Sequence, residues 1–185
     1  MRQSIRGYAD AVIEQAPAAA DLTRPASELA AVRDLIDSSQ DLRRALDDPG
    51  VPAASRRAVV TDLLQARVGA DTLRLVLYAI EADRATEFRD DVAWLAARID
   101  AAARDEVPIG DVVLGRTAAE ERLDGYASGL LEGVEDKGAL GTVEDELFRF
   151  LRVVQGTPDL QAALANRDRA VPPEARRNLV VDLLR

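Results

Sequence analysis

The chain has 185 residues, a formal net charge of -9, and neither cysteine nor histidine. Disulfides, zinc fingers and catalysis by thiol or imidazole are therefore excluded, and an acidic surface opposes nucleic acid and anionic lipid. Hydrophobic residues make up 48% but aromatics only 4%, so the core must be built from Ala, Leu and Val, a composition that suits close-packed helices better than a β-sandwich.

The first predicted helix carries Ile5, Tyr8, Ala9, Val12 and Ile13 on one stripe, the i, i+3, i+4 spacing of an amphipathic helix. Thr23 as cap and Pro25 in the first turn open a second helix, with Leu29, Val32, Leu35 and Ile36 inward. A short third helix covers about Asp41 to Asp47 and is ended by Pro49-Gly50. Pro52 opens a fourth through Val59, Val60, Leu63 and Leu64. After Gly69 comes a fifth with Leu73, Val76, Leu77 and Ile80, apolar on most sides and hence expected at the bundle centre. A sixth follows with Phe88, Val92, Leu95, Ala96 and Ile99 inward and Trp94 at the bundle edge.

Between Glu106 and Arg116 the pattern changes to a short apolar run with Pro and two Gly. This reads as a linker with a brief extended stretch. Thr117 and Glu120 then form the pattern of a capping box.

Beyond the linker the sequence repeats. Gly7-Tyr8-Ala9 recurs as Gly125-Tyr126-Ala127, Glu14 as Glu132, Glu28-Leu29 as Glu146-Leu147, and Asp41-Leu42 as Asp159-Leu160, all 118 residues apart. Val51-Pro52, Arg56-Arg57 and Asp62-Leu63-Leu64 recur as Val171-Pro172, Arg176-Arg177 and Asp182-Leu183-Leu184, 120 apart. A matching Pro, Arg pair and Gly-Tyr-Ala are more than helical phase would align by chance. The expectation is an all-α fold of tandem duplicated helical bundles. The first, at 1–106, has six helices; 107–117 is the linker; the second, at 118–185, has about four helices and is incomplete.

Tyr8-Ala9-Asp10-Ala11-Val12, the Glu28 to Ile36 helix, Asp41-Leu42-Arg43-Arg44-Ala45-Leu46 with Pro49 after it, the Pro52 to Leu64 helix and Thr72-Leu73-Arg74-Leu75-Val76 resemble, in this order, the N-terminal six-helix domain of the delta subunit of bacterial F-type ATP synthases. That family is related to the oligomycin-sensitivity-conferring protein. Val143 to Phe150, with Pro158-Asp159-Leu160 and Ala163-Leu164, is similar to its actinobacterial members, which carry a duplicated helical segment. The resemblance implies a non-catalytic stator subunit of the peripheral stalk. Such a subunit binds N-terminal helices of alpha subunits and resists rotation of the catalytic head during proton-driven ATP synthesis. It implies a cytoplasmic protein, peripheral on the inner face of the plasma membrane. The family's Gly- and Asp-rich C-terminal α/β domain, which binds the b subunit, is missing, so the chain reads as a fragment or as a relative without that end. A standalone acidic helical adaptor derived from the same bundle is the alternative.

No phosphate-binding loop occurs. The paired carboxylates, among them Asp10 with Glu14, fall on polar helix faces, so no catalytic, cofactor or metal site is expected. Direct membrane insertion is not expected either: no apolar run approaches the roughly 20 residues of a spanning helix, and the N-terminus lacks the apolar stretch of a signal peptide.

Gly125, Gly129 and Gly133 are four apart on one face of the seventh helix. They read either as loose helix design or as a shallow groove that lets another helix approach closely. Gly7, Ala11 and Gln15 occupy the matching face of the first copy. In the resembled family, the groove between the first and fifth helices receives the alpha-subunit helix, which singles out Gly7, Tyr8, Ala11, Leu77, Ile80, Gly125, Tyr126, Gly129 and Gly133 as its lining. Tyr8 and Tyr126 by themselves read as core tyrosines with the hydroxyl at the surface. Arg56-Arg57 and Arg176-Arg177 read as solvated first-turn residues that call for a nearby carboxylate. Because the second copy has no counterpart of the central fifth helix, it leans on the first copy, pairs with another chain or stays partly open; the last is expected, with the first copy a closed bundle and several of Leu130, Leu131, Leu147, Phe150, Leu183 and Leu184 well exposed.

Overall fold

The computed structural model describes residues 2–82, 84–106, 114–132, 134, 137–165 and 172–183. All regular secondary structure among them is helical, and the chain divides into two compact units, Met1–Gly133 and Val134–Arg185. The first holds α1 (Gln3–Gln15), α2 (Thr23–Ser38), α3 (Gln40–Asp47), α4 (Ala53–Leu64), α5 (Ala70–Ala82), α6 (Phe88–Ala103) and α7 (Arg116–Glu132), with 3-10 turns at Ala19–Leu22 and Ala85–Glu87. The second holds α8 (Lys137–Gly156), α9 (Pro158–Ala165) and α10 (Pro173–Leu183).

In the first unit, burial follows the apolar stripes. Leu29, Leu75, Val76, Ile80, Leu95 and Ile99 each expose 1% or less. α2 lies along α6, and α5 touches α1, α2, α4 and α6, which makes it the central helix. Its circumference explains this: Leu75, Val76, Leu77, Ala79 and Ile80 are all buried, and the remaining strip runs through Asp71, Arg74 and Glu81, with Tyr78 half-buried against the core. Trp94 is half-buried at the bundle edge, where the Arg6 guanidinium sits 5.3 Å from its ring centroid.

Helix starts depart from the sequence reading in two places. The 3-10 turn at Ala19–Leu22 runs straight into α2, so Thr23 is the first helical residue and not a cap. Thr117 likewise lies inside the first turn of α7, which starts at Arg116. The side-chain cap among these early helices belongs to Ser39, whose Oγ accepts from the Leu42 N–H at 3.3 Å. Arg57 finds the expected carboxylate in Glu81. Arg56 is not solvated: it is 6% exposed and reaches the Leu46 carbonyl at the C-terminal end of α3, where a cation meets unsatisfied carbonyls.

The boundary between the units falls after α7, whereas the sequence places a linker at 107–117; residues 107–113 of that stretch lie outside the described ones. α7 therefore belongs with α1–α6.

In the second unit none of the described residues is buried. α9 stands 118 residues after α3, and α10 starts 120 after α4. Leu29 of α2 is 0% exposed, but its counterpart Leu147 on α8 is 59% exposed, because α2 has α5 and α6 over it while the second unit has only α9 and α10 to offer. Leu131 and Leu183 are exposed too, Leu130 and Phe150 are half-buried, and Leu184 lies outside the described residues.

Candidate helix-docking face

The tightest contact in the first unit joins α1 to α7, and it is made by small residues. A Cβ on Gly7 would stand 1.9 Å from the Arg122 carbonyl oxygen, and one on Gly125 would stand 1.8 Å from the Ser4 carbonyl oxygen. One on Gly129 would stand 2.8 Å from the Ala11 Cβ. No side chain larger than hydrogen fits at these glycines without moving a helix, so here glycine serves close approach. Ser4 faces Gly125 and Gln15 faces Leu130, so the two helices run parallel.

Polar pairs flank this spine on both sides. The Tyr8 hydroxyl donates to Glu132, and the Tyr126 hydroxyl donates to Glu14. Tyr8 and Tyr126 are equivalent in the 118-residue register, as are Glu14 and Glu132, so each tyrosine is answered by the other helix's glutamate. The glycine contacts obey the same rule, since Ser4 and Arg122 are also 118 apart. α1 and α7 are thus related by a local twofold. Burial, and then the Glu132 carboxylate, push the Tyr8 hydroxyl far above the ordinary tyrosine range, so it remains a donor at any ordinary pH.

Asp10 ties three helices together, accepting from Arg98 of α6 at 2.8 Å and from Arg122 of α7 at 2.5 Å. The Gln15 side-chain amide donates to the Leu130 carbonyl at 3.2 Å, and Arg74 of α5 donates to the Gln15 side-chain oxygen at 2.9 Å and to the Gly129 carbonyl at 3.4 Å. Tyr78 of α5 stacks on Tyr8 with ring centroids 4.1 Å apart. Its hydroxyl is also raised, by burial first, with hydrogen bonds to Ser4 and Ser128 pulling the other way. α7 therefore lies along the seam between α1 and α5.

The structure brings Gly7, Tyr8, Ala11, Gly125, Tyr126 and Gly129 together in one contact. Leu77 and Ile80 are buried in the core instead, 8% and 1% exposed; Arg74 and Tyr78 are the residues α5 turns toward α7. Gly133 lies outside the described residues. The sequence places Gln15 on the matching face of α1 and Asp10 on a polar face, without their partners; it misses Arg74 and Tyr78, whose one signal is that they are four apart on the polar strip of α5. Asp10 and Glu14 each accept from a partner on α7, Asp10 from Arg122 and Glu14 from Tyr126. Among the described residues no cluster of three or more His, Cys, Asp or Glu could hold a metal ion, and no helix is long and apolar enough to cross a membrane.

The profile of the family described as ATP synthase delta (OSCP) subunit matches residues 5–109. ATP synthase subunit delta of Salinispora arenicola is 37% identical over 164 residues, covering 86% of this chain and 47% of the relative. The subunit delta of Frankia casuarinae is 33% identical over 176 residues, covering 95% and 53%, and that of Kineococcus radiotolerans is 34% identical over 165 residues, covering 89% and 49%. The chain spans about half the length of the curated relatives it matches. No solved structure matches.

Proposed function

We propose, from the premise that the chain belongs to the ATP synthase delta (OSCP) subunit family, that it serves as a non-catalytic stator subunit in the peripheral stalk of an F-type ATP synthase. Its work is mechanical: it holds the catalytic head against rotation while protons drive synthesis. The supporting observation is the seam between α1 and α5, which accepts a parallel helix at backbone distance on Gly7 and Ala11, with Tyr8, Arg74 and Tyr78 beside it. An N-terminal helix of an alpha subunit is the partner this reading assigns to the seam, and helix-in-groove docking is the mode. Attachment to the b subunit belongs to sequence beyond the matched half of the relatives. The protein sits at the cytoplasmic face of the membrane as a peripheral part of the complex.

The test is a titration of the alpha-subunit N-terminal peptide into the full chain, followed by fluorescence anisotropy. Saturable binding that is weakened by Gly7→Val supports the assignment. Absence of binding at high micromolar peptide, both to the full chain and to a full-length variant whose α7 is dislodged by Gly125→Leu and Gly129→Leu, overturns it.

A further inference from the structure

We propose that α7 is a resident but exchangeable occupant of the α1–α5 seam, which accepts a partner helix with the same spine: glycine at i and i+4 and a glutamate seven residues beyond the first. The proposal rests on the reading that this seam receives a partner helix, and it adds what that helix must look like and what it must displace.

α7 contributes no side chain to the buried hydrophobic core of the first unit. Every member of its buried hydrophobic cluster lies between Ile5 and Ala102, and the only buried residues of α7 are Gly125 and Gly129. Leu123 and Leu131 of α7 are 66% and 48% exposed, although they are the residues that would anchor a core helix. What holds α7 is a polar rim: the two tyrosine–glutamate pairs, Arg122 on Asp10 and Gln15 on a carbonyl. A rim of this kind is as available to an incoming helix as to the resident one. Two glycines within α7 also lower its own preference for the helical state.

The spine sets the specificity. With the Ser4 carbonyl oxygen 1.8 Å from a Cβ at Gly125, a helix with a large residue at that position cannot seat. The flank is more permissive. A hollow of about 430 Å³, lined by Gly7, Asp10, Arg122 and Tyr126 among others, opens beside the contact, so a partner with bulkier flanking side chains fills the seat more fully than α7 does.

Being part of the same chain, α7 acts at an effective concentration on the order of millimolar, so a free helix competes poorly until α7 is dislodged. The experiment uses the full chain carrying Gly125→Leu and Gly129→Leu. A labelled peptide of residues 116–132 with the natural sequence is titrated into this variant and into the unsubstituted chain, with anisotropy as readout. The peptide is expected to bind the variant at least about 10-fold tighter, and the same peptide with both leucines to bind neither. Hydrogen exchange on the variant should show lost protection in α7 with α2 and α6 still protected. Equal affinity for the two chains, or no binding to the variant, overturns the proposal. So does loss of cooperative unfolding of the first unit, since α7 would then be part of its core. The alpha-subunit peptide is run alongside. If the 116–132 peptide binds and the alpha peptide does not, exchange stands and the stator partner is refuted; if only the alpha peptide binds, the spine requirement is refuted.

Discussion

Glu28 is the side chain whose removal tests the packing of the first unit most sharply. Its carboxylate, 14% exposed, accepts from the Gly69 N–H at 2.8 Å and the Thr72 hydroxyl at 2.6 Å, so a residue of α2 caps the start of α5. Arg24 also reaches it at 2.6 Å, but Arg24 is 74% exposed and contributes little. A hydrogen bond to a charged group stabilises by about 1.5–3 kcal/mol, and leaving the buried partner unsatisfied costs a similar amount. Glu28→Ala should therefore destabilise the unit by about 3 kcal/mol, which lowers its Tm by about 10 °C. Glu28→Gln keeps an acceptor and loses the charge, so about 1–2 kcal/mol is expected. Burial pushes the Glu28 carboxyl up, yet the bonds from Thr72, Gly69 and Arg24 outweigh it and hold it below the ordinary 4.5. A lowered native value means stability that is present above the unfolded value and lost as pH falls through the native one. The gap between wild type and Glu28→Gln should thus be full above pH 4.5 and close below it. Urea unfolding followed by circular dichroism at several pH values reads both effects. A Glu28→Ala change within 0.5 kcal/mol of wild type would refute the capping argument.

Three further outcomes are expected. Leu29→Ala should cost about 2–5 kcal/mol by opening a core cavity, while its repeat counterpart Leu147→Ala, on a side chain already 59% exposed, should cost less than about 0.5 kcal/mol; similar values from urea titrations would show that α8 is covered as α2 is. Tyr8→Phe removes the bond to Glu132 but keeps the stack on Tyr78, so it should lower the opening free energy of α7 by about 1–2 kcal/mol in hydrogen exchange, with unchanged α7 protection counting against the contact. Asp10→Asn should loosen α7 and make its residual protection less sensitive to salt, because the charge between Arg98 and Arg122 is gone; an unaltered salt dependence would remove Asp10 from the rim.

The helices were legible because Pro and Gly punctuate them. Pro52 and Gly69 stand just before α4 and α5, and Pro49-Gly50 just after α3, as in the structure. Caps were less so: Thr23 and Thr117 have the right side chain, but a cap also needs a non-helical backbone before the helix, and the 3-10 turn before Thr23 removes it. The apolar period of α8 matches that of α2, yet periodicity marks a face and not what covers it, so Leu29 and Leu147 look alike in sequence and differ in burial. The glycines were visible as a spine, but nothing local tells which surface they meet. That Gly125 lies on Ser4, and that Arg74 and Tyr78 rather than Leu77 and Ile80 face α7, depends on contacts between residues about 50 to 120 positions apart.

The crossing of the tyrosine and glutamate pairs has a consequence for how such a chain can change over generations. After a duplication, one copy is ordinarily free to drift while the other keeps the work. Here Tyr8 is bonded to the glutamate of α7 and Tyr126 to that of α1, so losing either tyrosine removes a bond made by the opposite helix. A substitution at either tyrosine or glutamate therefore changes a contact of the other helix as well as its own. The two like-sequenced helices are thereby held to a joint lineage, and the matched Gly-Tyr and Glu in each are the residues through which that bond would act.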